Sequence, residues 1–176
     1  VGGDIFVVGG ADSAGLSGKL YVLDSVAGVW KEKAPMPDPR DHLAAAEVNG
    51  KLYAFGGRHD SLLANRSTVS IYDPQDNRWT DGAEMPRARG GIAAAAVDGT
   101  VWIFGGEAVT HTFRDVDGYD TVTGRWREAT PMPTSRHGLG AAVVGGKVYV
   151  VGGGAKPGLS VSDTVEVFTP PASNSE

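Results

Sequence analysis

The sequence, 176 residues long, contains no cysteine. That excludes disulfides, thiolate metal sites and thiol nucleophiles. It leaves the compartment open, because cysteine-free domains occur on both sides of a membrane, and no localisation is assigned. No apolar run approaches the roughly 18 residues of a membrane-spanning helix, so no membrane partner is expected. Positive charge is scarce too: 16 Lys and Arg face 21 Asp and Glu, for a net charge of −5. Nonspecific nucleic-acid binding needs a basic footprint, so nucleic acid is not an expected partner either. No P-loop, dinucleotide fingerprint or Ser-His-Asp spacing occurs. The chain starts at Val1 with no leader before it, and reads as a processed, trimmed or excised piece.

What is abundant is glycine, 26 residues, about twice the average usage of roughly 7%. Its placement is periodic. Double glycines fall at Gly9-Gly10, Gly56-Gly57, Gly105-Gly106 and Gly152-Gly153, spaced 47, 49 and 47 residues. Trp30, Trp79 and Trp126 are spaced 49 and 47, and so are the Met-Pro pairs at Met36, Met85 and Met132. Three independent markers with one period identify an internal repeat.

Each repeat holds four short strand-like pieces. The first is small and apolar (43–48, 91–97, 139–144). Its run Ala93-Ala94-Ala95-Ala96 scores as helix by propensity, but its neighbours are strands joined by two-residue turns, so a strand is expected. The turns Asn49-Gly50, Asp98-Gly99, Gly145-Gly146 and Gly2-Gly3 match type I′ hairpins. The second strands that follow (5–8, 52–55, 101–104, 148–151) are nearly continuous apolar runs, which predicts burial on both faces. Asp24, Asp73 and Asp120 then open a second turn. Gly28, Asn77 and Gly124 sit where a left-handed residue is needed. Each Trp is expected to pack between neighbouring sheets with its N–H bonded.

These features resemble the Kelch repeat. The resemblance rests on the double glycine closing the second strand, on Leu23, Tyr72 and Tyr119 before the turn Asp, and on the Trp seven residues later. It runs from Val1 to about Thr169 and implies an all-β fold, a β-propeller of four-stranded antiparallel blades. The expected units are a partial blade over 1–37, blades over 38–86 and 87–133, a partial blade over 134–169, and a polar tail over 170–176. That is 14 strands, an incomplete ring or half-propeller. Its exposed sheet faces and edges predict association, with a second copy or with remaining propeller blades.

The candidate site residues are Arg40, Arg58, Arg89, Arg136, His42 and His137. Arg40, Arg89 and Arg136 each follow a Met by four residues, which places them one blade apart around the channel mouth. A basic rim there would grip carboxylates through bidentate bonds. The structural alternative is that they tie adjacent blades by bonding backbone carbonyls. Arg58 directly follows a double glycine, a place where Kelch substrate adaptors use arginine to hold acidic peptides; the other repeats carry Ala11, Glu107 and Gly154 there. The resemblance also admits enzymes. Galactose oxidase needs a Tyr–Cys crosslink, which is excluded. A sialic-acid mutarotase would use Glu107 with Arg89 and Arg136. The four histidines, His42, His59, His111 and His137, form no evident ligand set, so no metal or cofactor is expected. The resulting expectation is a non-catalytic binding scaffold for a protein or an acidic small molecule. A sugar-active enzyme and an excised or engineered half-propeller without its own ligand are the alternatives.

Overall fold

The computed structural model describes residues 3–172. Among these residues the fold is all-β apart from one short 3-10 turn at Leu62–Ala64. Its strands are β1 (Ile5–Val8), β2 (Ala11–Asp12), β3 (Gly15–Leu16), β4 (Leu20–Asp24), β5 (Val29–Lys33), β6 (Ala44–Val48), β7 (Lys51–Phe55) and β8 (Val69–Asp73). They continue as β9 (Arg78–Asp81), β10 (Ala93–Val97), β11 (Thr100–Phe104), β12 (Val116–Asp120), β13 (Trp126–Glu128), β14 (Gly140–Val144), β15 (Lys147–Val151) and β16 (Val165–Phe168). They form antiparallel sheets β1-β4-β5, β6-β7-β8-β9, β10-β11-β12-β13 and β14-β15-β16. These four are successive blades of a partial propeller, here called blades one to four. A small hairpin, β2-β3, decorates the loop after the first double glycine. The sequence pattern gave that hairpin no signal, because neither two-residue strand has a periodicity to read.

The tetra-alanine run is strand, not helix. It is paired residue by residue with Thr100 to Phe104, so tertiary pairing overrides propensity. β6, β10 and β14 lie side by side as the inner strands, and alanine is the commonest residue across the three. Asn49-Gly50, Asp98-Gly99 and Gly145-Gly146 all have positive φ at both positions, and so do Gly28, Asn77 and Gly124. The fourth predicted hairpin, Gly2-Gly3, has Gly2 outside the described residues, as are residues 173–176 of the predicted tail. Asp24, Asp73 and Asp120 accept bonds from the backbone N–H groups of their turns. Those bonds hold their carboxyls below the usual carboxylate range.

The core lies between blades. Tyr53, Phe55 and Val69 of the second blade meet Val101, Ile103 and Tyr119 of the third. Trp102, Phe104 and Val116 of the third meet Val148, Val150 and Leu139 of the fourth. Leu20 of the first meets Leu52 and Tyr72 of the second. Burial on both faces, predicted for all four second strands, holds for β7 and β11 only. β1 and β15 alternate instead, because among the described residues each has a sheet against one face. Trp30 departs from expectation for the same reason. Trp79 and Trp126 donate their indole N–H to Ala34 O and Ala83 O at 2.8 and 2.9 Å, whereas Trp30 is 50% exposed.

The double glycines are where blades come closest. A Cβ on Gly105 would stand 2.3 Å from the Arg136 carbonyl oxygen, and one on Gly56 would stand 2.6 Å from that of Arg89. Both glycines also have positive φ. Gly99 shares the positive φ but meets nothing within 4 Å. Gly99→Ala is therefore expected to cost about 1 kcal/mol, the conformational penalty alone. Gly105→Ala is expected to cost several times as much, because backbone must shift as well. Urea denaturation midpoints of the two variants test this; equal losses would contradict it.

Candidate functional site

Arg40, Arg89 and Arg136 enter the structure from the linkers that precede β6, β10 and β14. Each carbonyl accepts the backbone N–H of the preceding blade's double glycine, from Gly10 (2.9 Å), Gly57 (3.1 Å) and Gly106 (2.9 Å) respectively. Each side chain then turns into the following blade. Arg40 donates to Gly56 O (2.7 Å), Ala54 O (3.2 Å) and Ser70 Oγ (3.2 Å). Arg89 donates to Gly105 O (3.1 Å), Asp115 O (3.3 Å) and the carboxylate of Asp117. Arg136 donates to Gly152 O and to Thr164 O (3.3 Å), and pairs with Glu166 (2.8 Å). One residue thus holds two blades, by its carbonyl on one side and its guanidinium on the other.

All three arginines are 0% exposed. The geometry is that of the structural alternative: a guanidinium sealed among carbonyls offers no free donor fork to a ligand at the channel mouth. Burial pulls the Arg40 and Arg89 guanidinium pKa values below the ordinary arginine range, with Asp38 and Asp117 respectively opposing the shift. Burial likewise pushes the Asp117 carboxyl up, and Arg89 opposes that. The third-strand partners were not anticipated. Ser70, Asp117 and Glu166 each stand two residues before Tyr72, Tyr119 and Phe168, an equivalent place whose polarity inside an apolar strand is a readable signal.

Arg58 and Glu107 occupy equivalent places directly after their double glycines, and they meet across the blade boundary at 3.0 Å. The position is fixed by backbone. Arg58 bridges to Asp41, Glu107 to Gly90 and Gly154 to His137, each time the residue just after a buried arginine. Glu107 is 2% exposed. Its carboxylate also accepts the Gly158 N–H (2.9 Å) and lies 3.3 Å from His137 Nδ1. His137 Nε2 is within 3.1 Å of Lys156 O. On the other flank Arg58 Nη2 stands 2.7 Å from His42 Nε2, and His42 Nδ1 lies 2.9 Å from Asp41. Nearby, His59 bridges Asp38 (2.8 Å) and Arg66 (2.6 Å).

The six candidates therefore divide. Arg58, His42 and His137 come together with Asp41 and Glu107 in one charged cluster spanning three blades. Arg40, Arg89 and Arg136 do not join it. The Glu107–Arg89–Arg136 set of a mutarotase is not assembled, since both arginines turn into their own blades and Glu107 is shielded by Arg58 and the 154–160 loop. Among the described residues, no group of three or more His, Asp or Glu is placed to hold a metal ion. Glu107 had looked like a departure from Arg58; it is the partner of Arg58.

Four-stranded sheets joined by a buried arginine and a double glycine, repeated about every 47–49 residues, define a blade-repeat propeller. The chain belongs to the Kelch-repeat family: the model of the KLHDC2/KLHL20/DRC7 Kelch-repeats domain matches residues 1–171. Beta-scruin of Limulus polyphemus is 35% identical over 86 residues, 43% of this chain and 9% of that protein. Kelch-like protein terF of Aspergillus terreus is 37% identical over 84 residues, covering 42% and 18%. Kelch-like ECH-associated protein 1B of Danio rerio is 36% identical over 75 residues, covering 42% and 13%. The matched segments are thus a small part of each of these proteins.

The clasp predicts a graded response. Arg89→Ala leaves Asp117 buried without its cation and is expected to cost about 3–5 kcal/mol. Asp117→Ser reproduces the arrangement that Arg40 has with Ser70 and is expected to cost clearly less. Urea denaturation of both variants checks it, and a serine variant as unstable as Arg89→Ala would contradict the equivalence.

Proposed function

We propose that the chain is a non-catalytic scaffold that binds protein partners on its loop face, with the Arg58 cluster recognising acidic groups. The observation that carries this reading is the contrast in exposure. Three arginines are sealed, whereas the Arg58 side chain is 16% exposed and that of His42 is 43% exposed. Arg58 is already held by Glu107, His42 and Asp41, so the part of it that is exposed is pre-organised for a carboxylate. The exposed Arg66 adds donors on the same loop. The name of one relative, Kelch-like ECH-associated protein 1B, records an association and supports binding as the class of function. A fluorescein-labelled oligo-glutamate peptide is the probe. Arg58→Ala and His42→Ala are expected to weaken its binding severalfold. The denaturation midpoint is expected to hold in His42→Ala and to fall in Arg58→Ala, which leaves Glu107 buried without its cation, and Arg58→Lys is expected to restore part of both. Unchanged affinity would sink the acidic-group reading. Accelerated anomer exchange of sialic acid, followed by NMR and lost in Glu107→Gln, would instead favour the enzyme.

A second reading concerns the outer faces. The second blade packs on the third through Tyr53, Phe55, Val69 and Ile71 against Val101, Ile103 and Tyr119. The equivalent residues of the fourth blade are Tyr149, Val151, Val165 and Val167, all exposed, and those of the first are Ile5, Val7 and Leu23, of which Ile5 and Val7 are exposed. The two open faces are the two halves of one repeated contact. We propose that a second copy joins head to tail through them. Light scattering across a dilution series is expected to give a mass of twice 18.3 kDa. Val151→Lys is expected to return it to the single value. A monomer at every concentration would refute self-pairing.

A further inference from the structure

Two residues after each buried arginine the chain takes the same left-handed turn. His42, Gly91 and Gly138 hold these places, with φ of 52°, 68° and 60°. They form a backbone relay across the blades: Gly91 N–H donates to His42 O (2.8 Å), and Gly138 N–H donates to Gly91 O (2.7 Å). Glycine is the residue this conformation favours. Of the three, only His42 carries a side chain there, which strains its backbone. Strain of this kind gathers at sites where the side chain has a task.

The His42 ring stands between opposite charges. Its Nε2 is 2.7 Å from Arg58 Nη2, and its Nδ1 is 2.9 Å from Asp41 Oδ1. A guanidinium nitrogen only donates, so Nε2 is the acceptor and the ring proton sits on Nδ1, facing the carboxylate. The imidazole in this arrangement is neutral. Asp41 Oδ1 is itself buried and receives no aligned hydrogen bond, from the ring or from Arg58 Nε at 3.6 Å. Glu107 and His137 are joined to this group through Arg58. His59, held between Asp38 and Arg66, lies on the same loop as Arg58.

We infer that His42 makes recognition at the Arg58 cluster proton-linked, so that an acidic group and one proton bind together. This rests on the acidic-group reading of the cluster and adds its regulation. A carboxylate that reaches the exposed part of Arg58 competes for the Nη2 donor and faces the lone pair of His42 Nε2. Two acceptors then stand against each other. One proton, taken from solvent onto Nε2, turns that acceptor into a donor, and the ligand carboxylate lies between two cations. Asp41 balances the charge of the imidazolium. Because the complex holds one more proton than its separate parts, binding strengthens as pH falls.

The test is calorimetric titration of an unlabelled hexaglutamate peptide into the protein between about pH 8 and 6, where glutamate stays ionised. Heats in two buffers of different ionisation enthalpy count the protons taken up. Affinity is expected to rise as pH falls, by up to about tenfold per pH unit, with net proton uptake. His42→Gln is expected to bind more weakly and to show neither effect, and His59→Gln to keep both. Without peptide, His42→Gly is expected to denature at higher urea than His42→Ala, because glycine relieves the left-handed backbone; equal midpoints would contradict the strain. Nitrogen NMR of the free protein at about pH 8 is expected to find the His42 proton on Nδ1. Affinity that ignores pH, proton release, or the same linkage in His42→Gln would overturn the inference and leave the acidic-group reading standing. So would a proton on Nε2 of the free protein. No saturable binding at any pH would overturn both.

Discussion

The structure depends on one guanidinium between each pair of blades. A sheet that ends at a double glycine leaves strand-end carbonyls with no ladder partner, and a buried carbonyl without a donor costs stability. Arg40, Arg89 and Arg136 supply several donors each, from one planar group, to the carbonyls at those ends. The cost is a buried cation, which only dense hydrogen bonding offsets. The third strand adjusts that balance blade by blade. Ser70 contributes a neutral oxygen, Asp117 and Glu166 a carboxylate. In the Arg89–Asp117 pair both groups are buried, and desolvation acts against both charges at once.

The clasp explains the first glycine of each pair. The arginine carbonyl has to approach the preceding blade closely enough to accept its N–H, and any side chain there would occupy the same space. Gly9, Gly56 and Gly105 each face that carbonyl, at 2.8, 2.6 and 2.3 Å from where a Cβ would be. The fourth, Gly152, faces Ser162 O at 3.7 Å and no arginine carbonyl. A glycine is thus built into the fourth blade for a close approach that no described residue makes. The same blade exposes Tyr149, Val151, Val165 and Val167. Backbone and side chains point to the same unfilled contact.

Much of this was legible in the sequence, and the illegible part has a common cause. Turn residues, double glycines and tryptophans were readable because each answers to a local demand on φ, close approach or ring packing. The four-stranded unit followed from them. The charged residues were harder, because an arginine in a Pro-rich linker has the same local sequence whether it faces solvent or turns inward. What decides it is a partner about 30 residues further on, in the third strand of the blade that the linker leads into, at Ser70, Asp117 or Glu166. Arg58 and Glu107 show the same limit. Read one repeat at a time they disagree; read across a boundary they are an ion pair at 3.0 Å.

That ion pair also bears on where function can reside. The place after the double glycine is held by Ala11, Arg58, Glu107 and Gly154 in turn, so it varies while the scaffold around it does not. Backbone bridges fix its position in the second, third and fourth blades. Variation on a fixed frame is how a rigid repeat protein makes a specific surface. Here the variation places one cation and one anion on neighbouring blades, and Glu107 then reaches across to the Gly158 N–H and the His137 ring. The loop of the fourth blade is thereby positioned by a residue of the third.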